Sequence, residues 1–513
     1  MIDLFGASPE TNFSPDTTVQ LLDTTLRDGE QAPGVSLTPE EKVDIAQALD
    51  RAAVDVIEAG SACTGVGERR TIKAVTALDL DATVTSFARG VQSDVELAID
   101  CGVDGVNLVV PASDRHVEDK VGTTREDVID STVELVEFAT DHDLWVEVLG
   151  EDGSRADLAF LEELMGAAID AGADRICYCD TVGYASPERT YEVVDRLAAI
   201  GPTSTHTHDD LGLAVTNVLA SLAAGADLVH TTVNGIGERA GNAALEEVAI
   251  ALEHCYGIET AELTELYELA RVTAQTTGIP LPPNKAVIGQ NAFAHESGIH
   301  TDGTLKDEAM YEPYPPEKVG RERRLVLGKH TGRAGAAATL AEHGVTVSED
   351  DLDEIVRRVK AIADRGKRVT DADLLAIAEE VRGIAHERRV ELLDLTAASG
   401  GGIPTASVRL SVDGEERVAS GVGSGPVDAA VAAVREAIGM AAEAQLDAYR
   451  VDAITGGTDA VVTVEVTMTL DDETVTVSSS DADITRASVT AMVDALDRLL
   501  ASTEPDSTVL ADD

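Results

Sequence analysis

Residues 204–233 read STHTHDDLGLAVTNVLASLAAGADLVHTTV. A β-rich run, Ser204–His208, leads into an amphipathic helical stretch and then a second β-rich run, Leu228–Val233. Strand, helix, strand is the building unit of a parallel sheet. The first run ends in polar residues, His206-Thr207-His208-Asp209.

Upstream, six more runs keep the same rhythm: Val19–Leu22, Val54–Glu58, Ala82–Ser86, Gly105–Val109, Trp145–Leu149 and Arg175–Cys179. Several share the polar ending: Asp23-Thr24-Thr25, Glu58-Ala59-Gly60-Ser61, Glu151-Asp152 and Asp180-Thr181. Eight such repeats predict an α/β fold, a (β/α)8 TIM barrel over residues 18-280. The rival is an open doubly wound sheet. It is disfavoured because no Gly-rich fingerprint follows the first strand. In a barrel the polar strand ends gather on the C-terminal face, where chemistry takes place. Helix starts are also marked: Thr38 as N-cap, Pro39 as first helical residue and Glu41 as capping-box partner. Residues 1–17 read as a loose polar arm.

Past residue 275 the rhythm breaks. Leu281-Pro282-Pro283-Asn284-Lys285 is a linker signal, and residues 285–333, rich in Gly, His and Pro, read as ordered loop. Two helical patterns follow, Glu349–Arg365 and Asp371–Arg382, so residues 281-388 are expected to form a linker and helical subdomain. From about residue 390 the chain turns β-rich, with a weak internal repeat. Ala406–Gly421 then Pro426–Ile438 reads as strand, turn, strand, helix, and Ala460–Ser479 with Thr485–Leu500 reads the same way. Asp413-Gly414 and Asp471-Asp472 mark the hairpin turns. The expectation is a C-terminal α+β domain over residues 389-505, with a frayed tail.

The 513 residues carry a net charge of −55 with 44% hydrophobic residues. Such a chain repels phosphate backbones and anionic lipid, so neither nucleic acid nor membrane is an expected partner. Its apolar content excludes an acidic disordered protein. Acid spread over a normal core suggests adaptation to high salt and poor folding when self-repulsion is unscreened. The five cysteines are odd in number and widely spaced, which argues against a disulfide framework and for a reducing cytoplasmic setting. No export signal and no membrane span are expected.

On a strand, residues i and i+2 share a face, so His206 and His208 would point the same way, as metal-binding imidazoles do. Asp28 could join them as an oxygen ligand, with Arg27 beside it to meet an anion or developing oxyanion. The plainer alternative is a helix-start salt bridge. The loop Asn234–Asn242 has glycines at alternating positions, which allow close approach to a ligand or simply make a turn. His295, Glu296, His300 and His330, with Tyr311 and Tyr314 nearby, could supply an acid–base group or be surface residues. Cys177 and Cys179 share a strand face and read as buried core thiols.

Together these segments resemble the 2-isopropylmalate synthase, homocitrate synthase and citramalate synthase family of metal-dependent Claisen-condensing barrels. The matching stretches are Asp23–Gln31, His206–Asp210, Asn234–Asn242, His295–His300 and Gly328–Arg333. The resemblance implies that Asp28, His206 and His208 bind a divalent metal, with Asn242 completing the site directly or through water. Mg, Mn, Co and Zn all tolerate such donors. It implies that Arg27 polarises the 2-oxo acid, Glu151 is an acidic catalytic residue and Thr181 contacts the oxo-acid carboxylate. It also implies that His300 and Tyr311 reach the site from the partner subunit of a homodimer. Gly235, Gly237, Glu238, Arg239 and Gly241 would lie near the coenzyme A portion of acetyl-CoA. Isopropylmalate synthases usually show Gly-Phe-Pro after the second strand, where this chain has Gly60-Ser61-Ala62. That departure resembles citramalate synthases, which use pyruvate, more than enzymes that use 3-methyl-2-oxobutanoate. Homocitrate synthesis is disfavoured, since only Arg89 offers itself for a second carboxylate. The C-terminal domain resembles the family's amino-acid-sensing module, with isoleucine or leucine as feedback effector. Its Gly-rich turns, Ser420–Pro426 and Thr455–Asp459, are candidate effector loops or simple hairpin loops. Retro-Claisen acyl-CoA lyases share the barrel and metal site but are not expected to carry this module.

Overall fold

The computed structural model describes residues 18–364, 369–383, 388–400, 402–439, 444–453, 462–470 and 473–502. The N-terminal arm, the Thr455–Asp459 turn, the Asp471-Asp472 turn and the tail after Ser502 lie outside the described residues. Two compact units are present. One runs to Phe293 and includes Tyr314–Arg323; the other holds Ala294–Pro313 and the chain from Arg324.

In the first unit eight parallel strands close a barrel in sequence order. They are β1 (Gln20–Asp23), β2 (Val56–Glu58), β3 (Thr83–Arg89), β4 (Gly105–Pro111), β5 (Trp145–Glu151), β6 (Arg175–Asp180), β7 (Thr203–Thr207) and β8 (Leu228–Thr231). Closure is by β8 on β1, with His230 opposite Leu22. The helices are α1 (Pro39–Arg51), α2 (Val66–Thr76), α3 (Gln92–Ile99), α4 (Arg125–Thr140), α5 (Leu158–Asp170), α6 (Pro187–Ala198), α7 (Ala214–Ala223) and α8 (Leu245–Tyr256), with α9 (Leu266–Thr277) after them. The Thr38–Glu41 capping box starts α1 with Pro39 in its first turn, and Thr124 with Asp127 repeats the device at α4. Strands such as β6 are buried at every position, because a barrel covers both faces of a parallel strand. The large apolar core joins strands such as Leu21, Ile57 and Val106 to the helices, while Leu22, Val56 and Leu228 form a separate patch. Alternate positions on one strand thus serve opposite sides of the wall. Among the described residues no helix is long and apolar enough to cross a membrane.

Strand boundaries depart from the sequence reading by a few residues. β8 stops at Thr231 because Val233–Gly235 tightens into a 3-10 turn with Asn234 left-handed.

In the second unit β9 (Ala294–His295) pairs in parallel with β10 (Arg324–Leu325). The helices are α10 (Gly298–Lys306), α11 (Arg333–Glu342), α12 (Glu349–Ala363) and α13 (Asp371–Arg382). The expectation of loop throughout residues 285–333 is therefore corrected. α10 carries Gly298 and Gly303 and has no side-chain cap, so neither propensity nor a cap signal announces it. α11 was also not anticipated.

The C-terminal repeat holds one strand more per half than expected. β11 (Val390–Ala398), β12 (Thr405–Val412) and β13 (Glu415–Val422) form an antiparallel sheet followed by α14 (Pro426–Ile438). β14 (Gln445–Ala453), β15 (Val462–Leu470) and β16 (Glu473–Asp481) form another, followed by α15 (Ile484–Ser502). The first strand of each half carries a register shift, between Leu392 and Asp394 and between Leu446 and Ala448. Such a shift breaks the period-two pattern by which a strand is recognised. Asp413 and Gly414 both have positive φ, as a tight hairpin turn requires.

Candidate active site

The site is built at the C-terminal ends of the barrel strands. After β1 the chain turns back on itself, and the Asp28 and Gly29 N–H groups both donate to the Thr24 carbonyl. This turn buries Arg27 and Asp28. Arg27 Nη1 donates to Asp28 Oδ2 at 2.7 Å and Arg27 Nε to Glu58 Oε2 at 2.6 Å. Glu58 also accepts the Thr24 hydroxyl at 2.5 Å. The guanidinium lies over the Phe87 ring, 4.6 Å from its centre. Glu58, at the end of β2, thus holds Arg27 in place; its place at a polar strand end was its only sequence signal.

β7 ends at Thr207, so His206 lies on the strand and His208 just beyond it. Their Nε2 atoms are still only 3.2 Å apart. The ligating atoms of Asp28, His206 and His208 all lie within 4.8 Å of one another. Burial would raise the Asp28 carboxyl, but Arg27 and the two imidazoles outweigh it and hold it well below the usual carboxylate range. Burial pushes both imidazoles down, His206 furthest, since His208 adds to its burial. Two neutral imidazoles with facing nitrogens, beside a carboxylate, form a donor set suited to a divalent cation. Asn242 Nδ2 donates to Asp28 Oδ1 at 2.8 Å, while its own Oδ1 is buried without a hydrogen-bond partner. That orphaned oxygen fits the same cation.

The Gly-rich loop after β8 explains its glycines here. A Cβ on Gly237 would collide with the Asn242 amide and the Asp28 carboxylate, and one on Gly241 would strike the Gly235 carbonyl. Both positions keep the loop against the cluster, and Glu238 N donates to Asp28 Oδ1 at 3.3 Å. Arg239, at a φ of 58°, turns outward to Asp210 at 2.8 and 2.9 Å and to the Thr181 carbonyl at 2.8 Å.

Thr181, after β6, accepts the Asp152 N–H on its hydroxyl at 2.8 Å, so its own O–H proton is available to donate. Glu151 ends β5 and accepts from Lys120 Nζ at 2.6 and 2.7 Å and lies 3.0 Å from His116 Nδ1. Lys120 and His116 come from the π-helical turn Arg115–Val121, a feature without a sequence signal. Arg89 is bound to Asp94 at 2.8 Å.

The His and Tyr residues beyond the barrel divide between the two units. His300 and Tyr311 stack in the second unit, ring centres 4.3 Å apart, both exposed at the surface of the chain. His295 Nε2 lies 2.9 Å from Glu312 Oε1, and Glu296 accepts the His330 N–H at 3.3 Å. Tyr314, expected beside them, packs on Phe293 and His254 in the first unit. The apolar residues around it, not the Gly- and His-rich stretch before it, decide its place. Cys177 and Cys179 are buried as expected, but Cys177 also faces His230 and Glu147, a grouping the sequence reading passed over.

Known proteins resemble this chain over nearly its whole length. Residues 18–273 match the HMGL-like family, 287–367 the homocitrate synthase post-HMGL domain-like family and 368–500 the LeuA allosteric (dimerisation) domain. A relative in Methanothermobacter thermautotrophicus, provisionally named an (R)-citramalate synthase, is 51% identical over 493 residues, 96% of this chain and 99% of its own. The (R)-citramalate synthase of Methanocaldococcus jannaschii is 47% identical over 488 residues, 94% of this chain and 99% of its own. A solved HMG-CoA lyase from Bacillus subtilis covers 52% of this chain and 96% of its own at 22% identity, with a TM-score of 0.48.

Proposed function

The chain belongs to the citramalate synthase family, and we propose from that premise that it condenses acetyl-CoA with pyruvate to give (R)-citramalate and coenzyme A. The observation that carries the chemistry is the convergence of Asp28, His206 and His208 beside the buried Arg27 guanidinium. Asp28, His206 and His208, with Asn242, would hold the divalent ion. Such an ion supplies Lewis-acid polarisation of the 2-oxo carbonyl. Arg27 brings a permanent positive charge next to that carbonyl, where negative charge develops as the new carbon–carbon bond forms. Because Glu58 and Phe87 fix its guanidinium, that charge needs no rearrangement during the reaction. Thr181 donates its O–H to the pyruvate carboxylate and orients it. The acetyl methyl group loses a proton to a base and attacks the carbonyl carbon. Water then cleaves the thioester and releases coenzyme A.

We assign the proton transfer at the acetyl group to the His300–Tyr311 pair, reaching the site from the partner subunit of the homodimer, and to Glu151 a polar acid–base role held by Lys120 and His116. The loop from Gly235 to Gly241, with Glu238 and Arg239, would flank the coenzyme A moiety. The match to the LeuA allosteric domain supports a homodimer with amino-acid feedback, and isoleucine is the effector we favour over leucine. The strongly acidic composition supports a high-salt optimum.

Coenzyme A release from acetyl-CoA, in concentrated KCl with Mg or Mn, tests the oxo acid. Pyruvate should be preferred over 3-methyl-2-oxobutanoate; the reverse preference would place the enzyme in leucine synthesis instead. His300→Ala should lower turnover far more than metal binding, and unchanged turnover would remove His300 from the chemistry.

A further inference from the structure

We propose that the interior of the barrel holds a second cation site, made by Glu147, Cys177 and His230, for a thiophilic divalent ion of the zinc class. The three come from β5, β6 and β8, and none is more than 1% exposed. Their ligating atoms lie within 4.8 Å of one another. His230 Nε2 is 3.0 Å from Glu147 Oε2, 3.2 Å from Oε1 and 3.9 Å from Cys177 Sγ. A ring nitrogen that faces both carboxylate oxygens and a sulfur is aimed at a shared point rather than at one acceptor.

The carboxylate is already steadied from behind. Asn107 Nδ2 and Ser204 Oγ each donate to it, as outer groups do for metal-binding carboxylates. Cys179 Sγ lies 3.8 Å from Cys177 Sγ but outside the group of three. Imidazole nitrogen, carboxylate oxygen and thiolate sulfur are each donors that zinc accepts. The group is distinct from Asp28, His206 and His208, which contain no sulfur, although the His230 and His206 rings stand 5.5 Å apart, edge to face. Because the pocket is sealed, its ion is acquired as the barrel closes and exchanges slowly. Without an ion the same residues make a buried Glu147–His230 ion pair beside an inert thiol. The two arrangements differ in whether the sulfur binds metal.

Full-length protein produced with Co(II) as the supplied metal, kept in concentrated KCl, tests this by elemental analysis and near-ultraviolet absorption. Two ions per chain and a sulfur-to-cobalt charge-transfer band are expected. Cys177→Ser should lose one ion and the band. Cys255→Ser, at an exposed free thiol, should keep both. Asp28→Asn should lose an ion and keep the band. One ion per chain without the band in the unsubstituted protein overturns the proposal, and needs no variant to fold. A band that survives Cys177→Ser overturns it too.

Discussion

Asp28, His206 and His208 stand at the ends of β1 and β7, whereas Glu147 and His230 stand within the wall of β5 and β8. Both groups pair a carboxylate with imidazole, and both are buried. At the mouth, Arg27 lies against the carboxylate, a second imidazole lies beside the first, and burial keeps both rings below their ordinary value. Inside, burial also works against the charged ring. Yet Glu147, with no arginine bonded to it, outweighs that and holds His230 well above its ordinary value when no ion is bound. The same residue types are thus left open to a cation in one place and, when no ion is bound, paired with each other in the other. The surrounding charge decides the difference.

The sharpest way to break this contrast is at the mouth. Asp28→Asn should lower turnover with pyruvate by about 10³-fold, the scale on which a Lewis acid stabilises developing charge, while the thermal midpoint changes little. Turnover within tenfold of the parent would mean that the chemistry lies elsewhere. Inside the barrel the effect should fall on stability instead. Glu147→Ala strands His230, Ser204 and Asn107, and removing one member of a buried pair costs about 3–5 kcal/mol. Urea unfolding in high salt would measure it, and a loss near zero would make the interior group dispensable.

Asp23, on β1, is another buried carboxyl, with one oxygen unpartnered. Burial pushes it up to about 7, against the Thr25 hydrogen bonds. A folded value above the unfolded one gives stability that is full at low pH. That stability is lost as pH rises from about 4 through about 7, at up to about 1.4 kcal/mol per unit. Asp23→Asn should flatten that decline in thermal midpoints taken across the range; an unchanged slope would show that Asp23 does not titrate there. The smallest effect belongs to the partly exposed Arg239–Asp210 pair, where Arg239→Ala should cost about 0–1 kcal/mol of stability. A larger loss in unfolding experiments would mean that its bond to the Thr181 carbonyl holds the strand ends together.

The barrel was legible because its signals are local: eight β-rich runs, capping residues and polar strand ends. The His206–His208 pair was legible because i and i+2 share a face, and Asp28 because family motifs supplied the third ligand. Nothing in the sequence pointed to the roles of Glu58, marked only by its polar strand end, and Glu147, because their partners lie 31 and 83 residues away, at Arg27 and His230. Only closure of the barrel brings them together. β11 and β14 were missed where register shifts erase alternation, and α10 where glycines mask a helix.

The tight seat of Gly237 offers a rule for reading other genomes. Any side chain at that position would occupy the space of the Asn242 amide and the Asp28 carboxylate. A related gene that keeps the aspartate and both histidines but codes for anything larger than glycine there should be suspected of encoding a barrel that has given up this chemistry. One codon would then separate working synthases from retired copies, where overall percent identity does not.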